Sequence, residues 1–187
     1  MQNPPGFTLI EMIITLTIIC LLASLTLPAL TPFHQQTINQ LTQSDLTHLI
    51  QQAIQTSRNQ HMPIILCPTI DKQNCTTKNT DSFIVFIDKN QNGTLTSPSQ
   101  LITSKTFSLQ KDKLHTRLYP IYQPYFLFQP EVNNLTNNGS IWYCANHQSS
   151  PLWAVMLSKK GRTRVVLPNK SGVIKDSHNR LLTCDAF

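Results

Sequence analysis

One carboxylate inside an apolar stretch is the first group whose position could support chemistry. Glu11 is the only charged residue between Phe7 and Leu27, and a charge on a membrane-spanning helix is costly unless a partner neutralises it. Cleavage between Gly6 and Phe7 would create a free α-amine four residues before Glu11, about one helical turn. The amine and the carboxylate would then share one helix face, and in an array each carboxylate could meet a neighbour's amine. This spacing predicts processing at Gly6–Phe7 and an assembly role for Glu11.

A basic segment at the other end of the chain is the second such group. Residues 159–187 hold seven Lys and Arg against two Asp, or +5 of the formal net charge of +6. These basic residues are Lys159, Lys160, Arg162, Arg164, Lys170, Lys175 and Arg180. If the segment after Gly161 is extended, Arg162 and Arg164 point to one face about 6.6 Å apart. At that separation the two guanidinium groups could bind neighbouring phosphates of one nucleic-acid strand. Gly161 permits a tight turn that brings Lys159 and Lys160 to the same rim.

The basic segment has more than one interpretation. Few aromatic residues lie among the charges, so contact with a nucleic acid would involve its backbone and would depend on salt, not sequence. A solvated edge strand that uses charge to discourage aggregation is the second interpretation. Contact with an acidic protein neighbour in an assembly is the third, and an acidic surface polymer would use the same patch.

The cysteines divide into one apolar and four polar positions. Cys20 lies in the apolar stretch and acts as a small hydrophobic residue. Cys67, Cys75, Cys144 and Cys184 form an even set that predicts two disulfides in an exported domain. Three pairings are possible, and the short loop Cys67–Cys75 with Cys144–Cys184 is favoured. A zinc site is the rival interpretation, but these spacings are not those of zinc-binding Cys-x-x-Cys pairs.

Motifs for catalysis are missing from the sequence. It contains no Gly-x-Ser-x-Gly, no phosphate-binding loop and no paired carboxylates, so we expect neither an enzyme nor a cofactor. The string Asp88-Lys-Asn-Gln-Asn-Gly93 fits half of a calcium loop, but Ser99 stands where a bidentate Glu would be needed. Because Asn-Gly is a strong turn signal, a plain turn is the favoured interpretation and no metal site is predicted.

Hydropathy predicts a long N-terminal helix with two halves. Residues 1–6 would be a leader and residues 7–30 a transmembrane and assembly helix, long enough to cross the hydrocarbon core. Pro28 and Pro32 would interrupt or kink it. Residues 31–61 would form an amphipathic half that lays one stripe on a domain. The stripe comprises Ile38, Leu41, Leu46, Leu49, Ile50, Ala53 and Ile54.

Residues 62–187 are predicted to form a β-rich globular domain that ends in the basic tail, residues 159–187. Alternating patterns predict strands at Pro63–Cys67, Ser82–Ile87, Leu101–Leu109, Lys113–Tyr119, Tyr125–Gln129, Ser140–Cys144, Pro151–Leu157 and Arg162–Leu167. Turn residues separate them at 88–93, 137–139 and 159–161. A long helix followed by antiparallel strands belongs to the α+β class.

The string Gly6-Phe-Thr-Leu-Ile-Glu11 before an apolar helix resembles the signal of type IV prepilins and pseudopilins. In that family a prepilin peptidase cleaves after the glycine and methylates the new N-terminal Phe, and the helices then polymerise. Leu66-Cys-Pro68, Phe83-Ile-Val-Phe86 and Trp142-Tyr-Cys144 further resemble the GspH/FimT family of minor pilins and pseudopilins. The resemblance implies the type IV pilin fold, inner-membrane insertion with a periplasmic C-terminal domain, and contacts with major and other minor pilins of an extracellular pilus.

Gly161-Arg-Thr-Arg164 is similar to the Gly-Arg-x-Arg motif of FimT-type minor pilins that bind DNA during natural transformation. The resemblance implies that Arg162 and Arg164 contact extracellular double-stranded DNA. Lys159 and Lys160 would support them beside Gly161. The tail residues Lys170, Lys175 and Arg180 would be further contacts. The alternative is a structural minor pilin, or a GspH-like pseudopilin of type II secretion, that primes filament assembly without binding nucleic acid.

Overall fold

The structure is a computed structural model that describes residues 6–90, 92–109, 113–119, 123–130, 137–145 and 149–184, with the side chains of residues 25–35 outside the description. Within these ranges one α-helix is followed by eight β-strands, so the predicted α+β class is confirmed. The chain divides into two compact units, Met1–Leu41 and Thr42–Phe187. Most of the predicted leader, residues 1–5, and the last three residues of the predicted tail lie outside the described residues.

Helix α1 spans Leu9–Gln60 and begins at a reciprocal cap. The backbone N–H and the hydroxyl of Thr8 donate to Glu11 Oε2 at 3.0 and 3.1 Å, and the Glu11 N–H donates back to Thr8 Oγ1 at 3.3 Å. These contacts satisfy backbone donors that a helix start leaves unpaired. The helix continues across Pro28 and Pro32, so of the two predicted alternatives, an interruption or a kink, the interruption does not occur.

The first unit exposes most of its apolar side chains. Between Leu9 and Leu22 the large apolar residues are exposed, and Phe7 before the helix is 85% exposed. A contiguous exposed apolar surface of this kind marks a contact with a membrane or a partner. In the residues that the structure describes, no helix combines the length and apolar character that a membrane crossing requires.

The second unit contains two four-stranded antiparallel sheets. The strands are β1 Ile64–Thr69, β2 Ser82–Ile87, β3 Leu101–Thr106, β4 Lys113–Tyr119, β5 Phe126–Phe128, β6 Asn138–Cys144, β7 Trp153–Leu157 and β8 Thr163–Val166. One sheet has the order β3-β2-β1-β5 and the other the order β4-β6-β7-β8. Every strand pair is antiparallel, and a short 3-10 turn at Pro98–Gln100 precedes β3.

The main core lies between the last turns of α1 and the inner faces of both sheets. Leu46, Leu49, Ile50, Ala53 and Ile54 are buried against inward side chains of the strands. The predicted stripe is therefore confirmed from Leu46 to Ile54, whereas Leu41 is 59% exposed. A 2.7 Å ion pair between Lys105 of β3 and Asp45 adds a surface contact between this helix and the first sheet.

One predicted turn differs from the structure. Asn138 and Gly139 do not turn the chain but begin β6, and Gly139 is required because a Cβ there would lie 2.5 Å from the carbonyl oxygen of Arg117. The Asn137 side chain accepts a hydrogen bond from the Leu127 N–H at 3.2 Å and donates to the Tyr125 carbonyl. This segment therefore ties β5 to β6, and the prediction of a turn at 137–139 is wrong.

The Asp88–Gly93 string begins a connection that runs from the end of β2 to the start of β3 at Leu101. The buried Asp88 carboxylate accepts the Gly93 N–H at 2.8 Å, which closes the loop locally. Gly93 has φ +74°, and a Cβ there would lie 2.4 Å from the Tyr125 ring. Gln91 in this string lies outside the described residues.

Candidate nucleic-acid interface

The basic string Lys159–Arg164 forms the tip and outgoing strand of the β7–β8 hairpin. The Ser158 N–H donates to the Arg162 carbonyl at 3.0 Å, one step beyond the last strand pair, Leu157 with Thr163. The Gly161 N–H donates to the Ser158 carbonyl at 2.9 Å, and Gly161 has φ +71°. This is the geometry of a three-residue hairpin loop closed by a residue in the left-handed region. Lys159 and Lys160 are therefore held at the hairpin tip.

The arginines on this hairpin share the outer face of the second sheet. Arg164 is paired with Met156, whose side chain belongs to an apolar cluster on the face opposite the main core. Directly opposed residues of neighbouring strands point to the same face. Arg162 precedes Arg164 by two residues in the same extended ladder, so it also lies on this face, about 6.6 Å away. Both arginines are exposed.

The outer face is covered by the C-terminal tail. Ile174 and Leu182 of the tail pack on Trp142, Ala154 and Met156. The Trp142 indole N–H donates to the Thr183 carbonyl at 3.0 Å. The predicted pairing of cysteines is confirmed, since disulfides join Cys67 to Cys75 and Cys144 to Cys184. The second disulfide fixes the tail to β6.

The hairpin tip is one of three turns in the tail with the same backbone pattern. They are Ser158–Arg162, Asn169–Val173 and Asp176–Arg180. In each, the first residue's N–H donates to the fifth residue's carbonyl, and the fourth residue's N–H donates to the first residue's carbonyl. The fourth residues are Gly161, Gly172 and Asn179, with φ of +71°, +73° and +60°. Lys159 and Lys160 therefore lie within the first ordered turn, and Lys170 within the second.

Asp176 organises the third turn. Its Oδ1 accepts the backbone N–H groups of His178 and Arg180, each at 2.9 Å. Its Oδ2 accepts the Tyr119 hydroxyl at 2.8 Å and lies 3.4 Å from Nη1 of Arg117. Burial alone would raise the pKa of Asp176, but these hydrogen bonds outweigh it and hold the pKa below its usual range. Burial, together with the hydrogen bond to the Asp176 carboxylate, raises the pKa of Tyr119.

The structure distributes the predicted basic residues over two edges of one face. Arg117, Ser140, Met156 and Arg164 are successive partners across β4, β6, β7 and β8. Three strand spacings separate the Arg117 and Arg164 backbones by about 14 Å. Arg180 lies at the β4 edge, with its guanidinium 5.4 Å from the centre of the Tyr119 ring. Arg162 and Arg164 therefore share one edge, and Arg180 belongs to the other.

The two remaining predicted contacts lie within the tail. Lys170 occupies the second position of the turn Asn169–Val173 and is exposed. Lys175 is also exposed and pairs through its backbone with Leu181, next to the third turn. Neither side chain forms an ion pair among the residues that the structure describes.

The β8 edge carries positive charge without internal compensation. In the part of the chain that the structure describes, no carboxylate forms an ion pair with Lys159, Lys160 or Arg162. Nη2 of Arg164 lies 3.4 Å from the Met156 sulfur, which adds no opposite charge. The charges at this edge are therefore available to an anionic ligand.

One network of side chains was not predicted from the sequence. Arg117, Tyr119 and Asp176 form one network, and only Asp176 lies in the basic segment that drew attention. The recurring pattern of a Ser, Asn or Asp followed three residues later by Gly or Asn was the available signal for the three turns. The partners on β4 had no sequence signal, since they lie 57 to 59 positions away from Asp176.

The predicted processing site lies just before the helix. Gly6, Phe7 and Thr8 precede α1 without regular structure and are exposed, so the Gly6–Phe7 bond is accessible. Glu11 is exposed, and its carboxylate has Thr8 as a local partner. Among the described residues, no group of three or more His, Cys, Asp or Glu side chains is placed to hold a metal ion.

Comparisons with known proteins give one sequence match and one structural likeness. Residues 1–27 match the family described as the prokaryotic N-terminal methylation motif. No curated protein matches the chain. Crystal structures of the Pseudomonas aeruginosa type IV minor pilin FimU in two space groups are similar at 15% and 16% identity. They cover 68% and 74% of this chain and 91% and 94% of theirs, with TM-scores of 0.46 and 0.49. Because these scores lie below 0.5, no property of FimU is transferred to this chain.

Proposed function

We propose that this chain is a minor subunit of a type IV pilus that binds extracellular double-stranded DNA through the β8 edge. A prepilin peptidase would cut Gly6–Phe7 and methylate Phe7. The exposed apolar helix would hold the chain in the inner membrane, and later in the filament beside major and other minor pilins. The match of residues 1–27 to the methylation motif supports this part of the proposal.

One observation carries the DNA-binding part. Lys159, Lys160, Arg162 and Arg164 are clustered on an ordered hairpin with no carboxylate paired to Lys159, Lys160 or Arg162 among the described residues. An ordered hairpin loses little conformational entropy on binding, and two guanidinium groups about 6.6 Å apart can contact successive phosphates. The edge offers cations rather than aromatic platforms, so it would bind the backbone without reading bases.

The charge count gives a quantitative expectation. Four phosphate contacts give a slope near −3.6 for the logarithm of the binding constant against the logarithm of salt concentration. Affinity would then fall about 150-fold between about 50 and 200 mM salt. Removing two contacts would halve the slope to about −1.8, which is a fall of only about 12-fold over the same range.

The test is a titration of the full chain, in detergent and with its disulfides intact, with duplexes of unrelated sequence at several salt concentrations. The variant Arg162→Ala/Arg164→Ala should bind more weakly, with the slope reduced by about 1.8. Its matched control is Lys78→Ala/Lys89→Ala, which removes the same charge from exposed residues outside the hairpin. The control should keep the wild-type slope.

A third variant separates charge from shape. Arg162→Lys/Arg164→Lys keeps both charges but loses the planar fork, so the salt slope should persist while affinity falls. Equal binding by wild type and Arg162→Ala/Arg164→Ala, or equal loss in the Lys78/Lys89 control, would contradict a specific role for the hairpin. A subunit that primes assembly of a pilus or secretion filament without contacting DNA would then be the better description.

A further inference from the structure

Part of the outer backbone edge of strand β4 has no hydrogen-bond partner within the described residues. β4 is the outermost strand of the second sheet, paired on one side with β6. On its other side Leu114 exchanges two backbone hydrogen bonds with Thr80, at 2.9 and 3.2 Å. Backbone groups in an antiparallel ladder alternate in direction, so those of Thr116 and Leu118 point away from β6 as those of Leu114 do. In the described residues no hydrogen bond reaches these four outward groups.

A cleft of about 480 Å³ opens along this edge. It is lined by residues 116–118 of β4, by Thr76 and Thr77 after the first disulfide, and by Arg180 and Leu181 of the third turn. The outward backbone groups of Thr116 and Leu118 belong to residues that line this cleft, and a ligand that forms hydrogen bonds with them stabilises the protein.

The charge in the cleft is positive. Arg117 is compensated by Asp176 and also donates to the Leu181 carbonyl at 3.2 Å. Arg180 lies against the Tyr119 ring and forms no ion pair within the described part of the chain. The cleft therefore combines an uncompensated guanidinium with a strand edge that offers both donors and acceptors.

We propose that this cleft binds an extended, acidic peptide segment of a partner protein, which adds to the second sheet as a strand beside β4. A peptide supplies both N–H and C=O groups, so it can pair with both kinds of group on Thr116 and Leu118. A phosphate supplies only acceptors and would leave the two carbonyls unpaired. An acidic side chain on the added strand would meet Arg180. This interaction does not depend on DNA binding at the β8 edge.

The test follows backbone amide exchange in the full chain in detergent micelles by NMR. In the free protein the Thr116 and Leu118 amides should exchange rapidly, while the Leu114 amide, bonded to Thr80, should exchange slowly. The probes are short capped peptides that alternate valine with glutamate, in versions that shift the glutamate positions. Binding should slow exchange at Thr116 and Leu118 and leave Leu114 unchanged.

Two control peptides and one variant make the outcome decisive. A valine–glutamate peptide with N-methylated backbone amides should not bind, and a valine–lysine peptide should bind more weakly. Arg180→Ser should weaken binding of the glutamate peptide by about fivefold, the effect of losing an exposed ion pair. The variant should then bind the glutamate and lysine peptides equally well. Slow exchange at Thr116 and Leu118 in the free protein, or no protection by any glutamate peptide, would overturn the proposal. Protection of the same amides by duplex DNA, in competition with peptide, would also overturn it and assign the cleft to a polyanion.

Discussion

The substitution Asp176→Ala tests whether the buried contacts of Asp176 with β4 stabilise the protein beyond the hydrogen bonds within the third turn. The Asp176 side chain is fully buried and its carboxylate accepts from two backbone N–H groups, the Tyr119 hydroxyl and Arg117. Removal of one partner of a buried ion pair costs about 3–5 kcal/mol. Arg117 keeps its bond to Leu181 and is 22% exposed, so we expect the lower value, about 3 kcal/mol.

Asn169→Ala is the matched control for this substitution. Asn169 begins a turn with the same backbone pattern, and its Oδ1 accepts the N–H groups of Ser171 and Val173 at 2.9 and 3.1 Å. Asn169 is exposed, however, so its loss should cost only about 1 kcal/mol. A third variant, Asp176→Asn, keeps an acceptor for the turn but removes the negative charge, and should fall between the two.

The assay is urea unfolding of the full chain in detergent, followed by the fluorescence of the two buried tryptophans. They are Trp153 of the main core and Trp142, whose indole N–H donates to the tail at the Thr183 carbonyl. The free energy of unfolding should decrease by about 2 kcal/mol more for Asp176→Ala than for Asn169→Ala. Equal losses in the two variants would refute the reasoning, because they would mean that the contacts to β4 contribute nothing beyond the turn.

Three further predictions concern the same face. The pKa of Asp176 is lower in the folded chain than in the unfolded chain. The stability that its carboxylate contributes is therefore complete above about pH 4 and is lost as the pH falls through the folded pKa. Acid unfolding curves of wild type and Asp176→Asn should converge in that range, and a constant difference down to about pH 2 would contradict this. Gly161→Ala places a side chain at φ +71°, and Gly172→Ala places one at φ +73°. Each should lower the free energy of unfolding by about 1–2 kcal/mol. Only Gly161→Ala should also weaken DNA binding in a titration. Cys144→Ser/Cys184→Ser removes the disulfide that closes a sequence separation of 40 residues, and should lower the free energy of unfolding by about 4 kcal/mol. Cys67→Ser/Cys75→Ser removes the disulfide with a separation of 8 residues and should cost less. Equal thermal unfolding of the two variants would refute the loop-length argument.

Local patterns in the sequence predicted much of the fold. A continuous apolar run predicted β2, Ser82–Ile87, whose two faces are both buried. Alternation around Leu114 and Leu118 predicted β4, Lys113–Tyr119, because one side of that strand is buried in the core. The stripe from Leu46 to Ile54 similarly identified the helix face in the core. The pairing of cysteines followed from the preference for one short local loop. Turn chemistry also located Gly161, whose position requires φ +71°.

Other predictions were wrong or incomplete because they considered only residues that are neighbours in the sequence. Asn137 to Gly139 has the composition of a turn, but tertiary contacts to Tyr125, Leu127 and Arg117 make it the start of a buried strand. The cap between Thr8 and Glu11 was visible as a Thr-x-x-Glu pattern and was missed because Glu11 was considered only as a charge in an apolar stretch. Pro28 and Pro32 were predicted to interrupt or kink the long helix, and the helix runs through both without an interruption.

The sequence by itself determined where the charge is, and the tertiary structure decided which charges are neighbours. Counting residues was enough to find the basic segment, to name Arg162 and Arg164 and to place them two residues apart on a strand. Only the sheet register showed that Arg180 lies at the opposite edge, beside Arg117 and Tyr119. Charge is a property of each residue and is read directly from the chain. Proximity across strands depends on contacts between positions far apart in sequence, which no local pattern encodes.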